Sequence, residues 1–494
     1  MNNHNNTRKW SLWVEPWIIL LVVLSMSFGS LTFTSCNHNN YSDDVKLVFS
    51  TDTLMFDTIF TTVPSITRSF TVVNPGADPV KLDVFLAGGD QSYYSINVDG
   101  VAGKEFHGVE IAAHDSIFVF VKVNINPTNQ NNPYLITDSV LFYNTHRKQS
   151  VQLVAFGQDA HFIIPDHTNS SMHYYIVAHE HEQVHWTNDK PWVVYGWAVV
   201  DSLGTLTIDP GTKIYFHHGG GLWVYRYGNI HVNGTVEEPV LFAGDRRESF
   251  YDTDYEQWDR IWINEGTSTN TIDNAIITNS AIGLQVSSLT EYLGNKTIVN
   301  NSVIHNNKML GVLARASDLE MNNCQVSNNG SYSMLLQVGN FTLNHVTVAN
   351  YFSQHARKEP AFALSNHYVE NDTRILGNTT LTCNNCIIYG NMGVDADELG
   401  FSSFEGVELN YDFHNCLVKS NMLDAHFHNC INNKDPEFVS KFGQNYNIKE
   451  TSPAIDAGKT GLGITTDILG RLRNGVPDIG AFEYYPEPEE KRAR

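Results

Sequence analysis

Seven times between residues 272 and 430 the chain repeats one short alternation of apolar and polar positions. The copies centre on Asn274, Asn301, Asn323, His345, Asn385, Asn415 and Asn429. Two positions before each centre stands an apolar residue: Ile272, Val299, Met321, Leu343, Cys383, Phe413 or Phe427. One position after it stands Ala275, Ser302, Cys324, Val346, Cys386, Cys416 or Cys430. Three after it stands Ile277, Ile304, Val326, Val348, Ile388 or Val418, until Asn432 breaks the series. A strand buried on one face places its inward residues two apart. Here the first inward pair is three apart and the second two apart, so one extra residue turns a corner at the centre. Apart from Gly, Asn best tolerates the left-handed backbone of such a corner. Stacked Asn side chains can also hydrogen-bond to one another, as amide ladders do.

A second apolar run follows each early copy: Gly283-Leu284-Gln285-Val286, Gly311-Val312-Leu313 and Met334-Leu335-Leu336-Gln337-Val338. The centres lie 27, 22, 22, 40, 30 and 14 residues apart. A 22-residue rung of two or three short strands predicts a parallel β-helix, each coil burying its face against the next. A β-propeller would need about 40–50 residues per blade. The longer gaps predict excursions within residues 351–380 and near 391–411, and such turns are where a rigid scaffold usually carries function.

Upstream, residues 45–158 alternate differently. Short strands are predicted at 46–49, 69–73, 80–86, 117–123, 139–143 and 151–155, punctuated by Asn74-Pro75-Gly76, Gly88-Gly89-Asp90 and Asn126-Pro127. Six or seven strands in about 110 residues suit an Ig-like sandwich. The fold class expected is therefore all-β, a sandwich followed by a parallel β-helix over residues 159–450.

Three stretches resemble known families. Phe70-Thr71-Val72-Val73-Asn74-Pro75-Gly76, with Asp115-Ser116-Ile117-Phe118-Val119, resembles Hydin-like Ig-type domains, which implies a spacer or adhesion module. Thr205-Leu206-Thr207-Ile208-Asp209-Pro210-Gly211-Thr212, Asn233-Gly234-Thr235 and Pro239-Val240-Leu241-Phe242 resemble the first coils of right-handed parallel β-helix proteins of the pectin-lyase-like class. That scaffold serves lyases, hydrolases, adhesins and binding proteins alike, so it implies a fold and no activity. Ser452-Pro453-Ala454-Ile455-Asp456-Ala457-Gly458, then Asp467, Gly470, Arg471 and Asp478-Ile479-Gly480-Ala481-Phe482-Glu483, resemble the choice-of-anchor Q domain. Residues 451–485 are expected to cap the last coil, with Arg471 pairing carboxylates there. Asp456, Asp467, Asp478 and Glu483 could alternatively be acids of an active site. Residues 486–494 form a charged tail.

The N-terminus supplies an address. Arg8 and Lys9 precede an apolar run from Trp17 to Leu24, followed by small residues, which is a signal-peptide layout over residues 1–35. Phe33-Thr34-Ser35-Cys36 resembles a bacterial lipobox, with Phe33 in place of the usual Leu. The resemblance implies lipidation of Cys36, a polar tether over residues 36–44, and an outer-membrane lipoprotein of a Gram-negative bacterium facing the periplasm or the cell surface. The apolar stretch is short for a transmembrane span. Composition agrees with export: 12% aromatic residues, 35 Gly and a formal charge of −22 over 494 residues. That charge excludes nucleic acid as a partner and disfavours a long polyanion without bound cations.

Candidate chemistry is sparse. His179, His181 and His185 would share one face of a continuous strand, where three imidazoles suit zinc, but surface residues account for them as well. Cys383-Asn384-Asn385-Cys386 has the spacing of a metal or redox pair, yet the repeat places both thiols inward with Cys324, Cys416 and Cys430. The acidic runs 252–256 and 395–398 carry no neighbouring motif. Candidate ligand contacts are Trp223, Tyr225, Asp395, Asp397 and Glu398. The aromatic residues crowding the first coils could stack on sugars or plug the helix end. Two functions follow: a non-catalytic surface lipoprotein that binds a glycan or another surface component, or a polysaccharide lyase or glycoside hydrolase. No cofactor is expected, save Ca²⁺ if the protein is a lyase.

Overall fold

The computed structural model describes residues 41–61, 64–126, 134–169, 172–247, 251–289, 296–393 and 395–486. The leader, Cys36, most of the tether and the tail from residue 487 lie outside them. The described chain is all-β, with a 3-10 turn at Gly89–Gln91 and no α-helix among the described residues. By its contacts it divides into two compact units. The first comprises the chain up to Leu54 with Thr67–Lys122 and Asp138–Leu153; the second comprises Met55–Ile66, Val123–Thr137 and everything from Val154.

Two five-stranded sheets account for residues 48–158. One runs in the order Val48–Phe49, Arg68–Val73, Ser116–Val123, Tyr94–Val98, Val101–Gly103. The other runs Thr53–Phe60, Lys148–Gln158, Tyr134–Tyr143, Val80–Leu86, Glu105–Ile111. Strict alternation along Ser116–Val123 buries Ile117, Val119, Val121 and Val123 while exposing the residues between. Phe70 of the first sheet meets Phe142 of the second edge-on, their centroids 6.2 Å apart.

The second unit is built on sheets of 11 and 18 strands, parallel but for the antiparallel pairing of His167–Thr168 with His173–Ala178. Each coil contributes three short strands, so the strands form three rows. Row A runs through Trp197–Val200, Gly221–Val224, Ile261–Ile263, Ile282–Ser287, the first halves of Leu310–Asn322 and Met334–Asn344, Phe362–Ser365 and Leu399–Ser402. Row B includes Asn270–Asp273, Lys296–Asn300, the second halves of the same two long strands, Thr379–Asn384, Leu409–His414 and Phe427–His428. Row C includes Ala275–Thr278, Val303–His305, Gln325–Ser327, Thr347–Asn350, Ile387–Gly390, Leu417–Val418 and Ile431–Asn432. Such coil-on-coil pairing is compatible with a parallel β-helix.

The repeated centres turn the corner between rows B and C. All seven have left-handed backbone, with φ from 48° at Asn301 to 58° at Asn323. Side-chain ladders join the coils there. Asn323 donates to Asn301 at 2.8 Å, and Asn385 lies 2.9 Å from His345 Nε2. A longer ladder runs one position earlier, from Asp273 through Asn300, Asn322 and Asn344 to Asn384, with steps of 2.7–2.9 Å. The corner between rows C and A repeats the device at Asn279, Asn306 and Asn328, with φ of 66°, 57° and 53°. Beside it, Asn307 donates to Asn329 at 2.8 Å, and Asn350 accepts from the Asn329 amide at 3.1 Å. Asn307, Asn329 and Asn350 are fully buried, and pairing offsets the cost of taking their amides out of water.

Inward positions fill one continuous apolar core. Cys324, Cys383, Cys386 and Cys416 belong to it, Cys430 lies half-buried against it, and all five thiols are free. Successive thiols stack: the Cys386 amide points at Cys416 Sγ and the Cys416 amide at Cys430 Sγ, each at 3.4 Å.

The C-terminal segment was expected over the last coil, but it packs along the outer flank of row C. Phe438, Tyr446, Ala454, Ile468, Ile479 and Ala481 cover Ala349, Tyr351, Ile387 and Leu417. The corner residues hold this strap. Asn323 accepts from Arg473 at 2.9 Å, Asn385 donates to the Lys459 carbonyl at 2.9 Å, and Asn415 donates to the Ala457 carbonyl at 2.9 Å. Arg471 pairs with Asp467 at 2.5 Å and Arg473 with Glu483 at 3.1 Å. Asp467, Asp478 and Glu483 also cap backbone N–H groups within the strap, so these carboxylates are spent on its fold.

Candidate functional site

The outer surface of row A changes character from coil to coil. One outward column reads, in register, Trp223, Trp262, Gln285, Leu313, Leu335, Ala363, Gly400. The bulk falls from indole to hydrogen along the stack, so the surface sinks into a trough at its C-terminal end. The neighbouring outward column is polar: Ser287, Arg315, Gln337, Ser365, Ser402.

Excursions wall this trough. Each long gap in the repeat holds a row A strand with an excursion on either side, at 351–361 and 366–378 for the first and 391–398 and 403–408 for the second. The result is a groove of about 430 Å³ lined by Tyr332, Leu335 and Gln337 below, Glu359 and Pro360 on one side, and His367, Tyr368 and Val369 on the other. The second wall is an antiparallel hairpin, His367–Glu370 with Thr373–Leu376. A bidentate ion pair anchors the first: Arg357 reaches the two Glu398 oxygens at 2.7 and 3.1 Å, with side chains 1% and 0% exposed. Glu398 also accepts the Ala361 and Met392 amides at 2.8 and 2.9 Å.

Inside the groove, the Tyr332 hydroxyl donates to Glu359 at 2.7 Å. Burial, reinforced by that carboxylate, pushes its phenol up to about 12, so it stays protonated at neutral pH. Burial likewise raises the Tyr368 phenol. Behind Tyr368, just outside the groove lining, the Arg315 guanidinium lies 5.3 Å from the Tyr368 ring centroid; burial lowers its pKa, against the opposing charge of Glu370.

The residues singled out by sequence fare unevenly. Trp223 and Trp262 stack on each other, centroids 4.9 Å apart and planes 10° from parallel, so each spends a ring face on its neighbour. Trp223 Nε1 donates to Asn264 and Trp262 Nε1 to Ser287. Tyr225 meets Trp223 edge-on at 5.1 Å. This cluster belongs to the raised end of the column, outside the groove lining. Trp186 and Trp258 are buried in the core, where Trp258 stacks on Phe216 at 4.4 Å. Glu398 is sealed by Arg357 and offers no surface to a ligand. Asp397 accepts the Asn421 amide and the Asp395 carbonyl accepts the Asn421 side chain, so both brace the excursion from outside the lining.

His179, His181 and His185 do not share a strand face. The strand His173–Ala178 ends in a tight turn, His181 has φ 63°, and a new strand begins at Gln183. Glu182 caps the His179 amide at 2.9 Å, and His185 faces Asp209 at 3.7 Å. Among the described residues no group of three or more His, Cys, Asp or Glu side chains is set to hold a metal.

Arg315, Tyr332, Gln337 and Tyr368 escaped the sequence reading. A signal existed: Gln285 and Gln337 interrupt otherwise apolar runs at the parity that points outward.

No protein-family profile matches the chain, and no curated protein matches it. Solved structures with partial likeness include a PapD-like domain of human CEP192, at 15% identity over 24% of this chain and 89% of that one, TM-score 0.17. A family 123 glycoside hydrolase from Clostridium perfringens matches at 9% identity over 24% of this chain, TM-score 0.17. This chain spans 30% of that hydrolase. The E. coli chaperone DraB matches at 12% identity over 23% and 55% of the two chains, TM-score 0.17. TM-scores this low assign neither fold nor function.

Proposed function

We propose that the protein is an exported, lipid-anchored glycan-binding protein whose second unit is a right-handed parallel β-helix. The carrying observation is the groove on row A, a concave strip with tyrosine rings, an amide and hydroxyls along it. Sugars present both apolar faces and hydroxyl edges, and such a mixture suits them. In this reading residues 45–158 are an Ig-like spacer, residues 451–485 a choice-of-anchor Q-like strap, and Cys36 the lipid attachment that holds the protein at the outer membrane.

The enzyme alternative, a polysaccharide lyase or glycoside hydrolase, draws on the Tyr332–Glu359 pair, which puts a phenol and a carboxylate in the groove. A hydrolase would need a second carboxyl group at a defined separation across the bond. A lyase would need a base, and a protonated phenol is poorly placed to be one.

Incubating the mature protein with a polysaccharide panel separates these readings. Retention on at least one glycan without new reducing ends or unsaturated products is the expected result. Products from any substrate would replace binding with catalysis, and neither retention nor products on any glycan would remove both. For the anchor, a Cys36→Ala protein should leave the membrane fraction.

A further inference from the structure

Arg315 stands in the polar outward column between Ser287 and Gln337. Its Nε donates to Gln337 Oε1 at 2.8 Å. The Gln337 amide nitrogen faces Ser365 Oγ at 3.2 Å and the His367 carbonyl at 3.3 Å, which fixes its oxygen toward the arginine. The guanidinium thus rests over Tyr368 with its Nε held and its terminal nitrogens directed to no hydrogen-bond partner among the described residues.

Two other sheltered arginines of this unit behave differently. Arg357 clasps Glu398 and Arg473 clasps Glu483. Arg315 forms no direct ion pair among the described residues: burial disfavours its charge, and the Glu370 carboxylate, beyond ion-pair reach, offsets this only in part. A half-buried cation is ordinarily paired, because desolvation otherwise costs more than the fold recovers. A planar guanidinium held at one edge and open at the other is suited to two parallel hydrogen bonds to an oxyanion.

Building on the glycan-binding reading above, we propose that the groove selects a glycan bearing an isolated acidic group, carboxylate or sulfate, which reaches past the groove edge to Arg315, beside the lining residues Tyr368 and Gln337. The rest of the ligand is neutral. Glu359 lines the same groove and Glu370 closes the adjoining hairpin strand, so a second nearby anion meets carboxylates. The formal charge of −22 opposes a continuous polyanion further. One cation among acids is a filter for sparse charge.

Matched oligosaccharides test this on the full mature chain: one neutral, one with a single carboxylate, one with a single sulfate, and one acidic on every unit, with affinities from calorimetry. The singly acidic ligands should bind about 10- to 100-fold tighter than the neutral one, the range of a charge-assisted contact. Arg315→Gln should collapse that ratio to near unity, and Arg315→Lys should restore only part of it. Lys308→Gln, which alters a cation paired with Glu256 outside the groove lining, should keep the ratio. Unchanged melting temperatures guard against misfolding. Equal binding of neutral and singly acidic ligands, or a ratio that survives Arg315→Gln, overturns the inference and leaves glycan binding standing. Tightest binding of the fully acidic ligand overturns the sparse-charge filter. Failure of every glycan, whatever its charge, overturns the glycan-binding reading and this inference with it.

Discussion

Glu398→Ala should loosen one wall of the groove without touching a residue that lines it. The carboxylate accepts two guanidinium bonds, at 2.7 and 3.1 Å, and two backbone amides, at 2.8 and 2.9 Å. Both ionic side chains are sealed from water, at 1% and 0% exposure. Removing one member of such a pair leaves the other buried and uncompensated, which costs about 3–5 kcal/mol. The two orphaned amides add to this, although water entering the space vacated by the side chain would recover part. Coils of a repeat protein open locally, so the loss should concentrate in residues 351–361 and 391–398 and spare the early coils. Hydrogen exchange is the suitable assay, read at the Ala361 and Met392 amides. Protection there should fall by roughly two to four orders of magnitude, the equivalent of 3–5 kcal/mol. Glu398→Gln keeps one acceptor and the volume, and should fall between. Glycan affinity should drop with Glu398→Ala because Glu359 and Pro360 ride on the loosened segment. A loss of protection below about ten-fold, or one spread evenly over all coils, would refute the idea that this pair pins the wall.

Further expectations concern the corner, the strap and the core. His345 has φ 53°, so His345→Asn should preserve the corner, whereas β-branched His345→Val should lower the melting temperature further, by the equivalent of about 1–3 kcal/mol of backbone strain. Burial, then the Arg473 charge, lowers the His345 pKa to about 3, so the unfolded chain binds the extra proton and this group's contribution to stability should rise with pH between about 3 and 6.5. Asp478 has the opposite sign: burial raises it to about 6, the folded chain holds the extra proton, and its contribution should fall as pH rises from about 4 through 6. Melting curves from pH 3 to 7, taken as wild type minus His345→Asn and wild type minus Asp478→Asn, should therefore slope in opposite directions; parallel slopes would contradict the assignment. Of the five core thiols, only half-buried Cys430 should react with a thiol reagent in the native state, and the other four only after unfolding.

Much of the scaffold was legible because its corners are local. A left-handed residue between inward positions leaves a mark within six residues, and all seven predicted centres carry it. The same reading assigned the thiols to the core by parity alone. The second corner, at Asn279, Asn306 and Asn328, was written just as plainly, each residue five positions after a first-corner Asn. What resisted reading depended on contacts far along the chain or on a single turn. The histidine cluster failed because a tight turn at His181 broke the assumed strand parity. Glu398 read as a candidate ligand contact because the partner that seals it lies 41 residues earlier, in a different excursion. The groove is less local still, for no single segment contains it. It arises from a taper of side-chain size across seven coils, from Trp223 to Gly400, and appears only once the register between coils is known. That register is set by the corners, since each Asn fixes which residue of the following strand points inward. A one-residue insertion before such a corner would turn the outward column of that coil toward the core. The Asn residues line no part of the groove, yet they determine which side chains do, and in that sense the most conspicuous pattern in the sequence shapes the proposed binding surface without lining it.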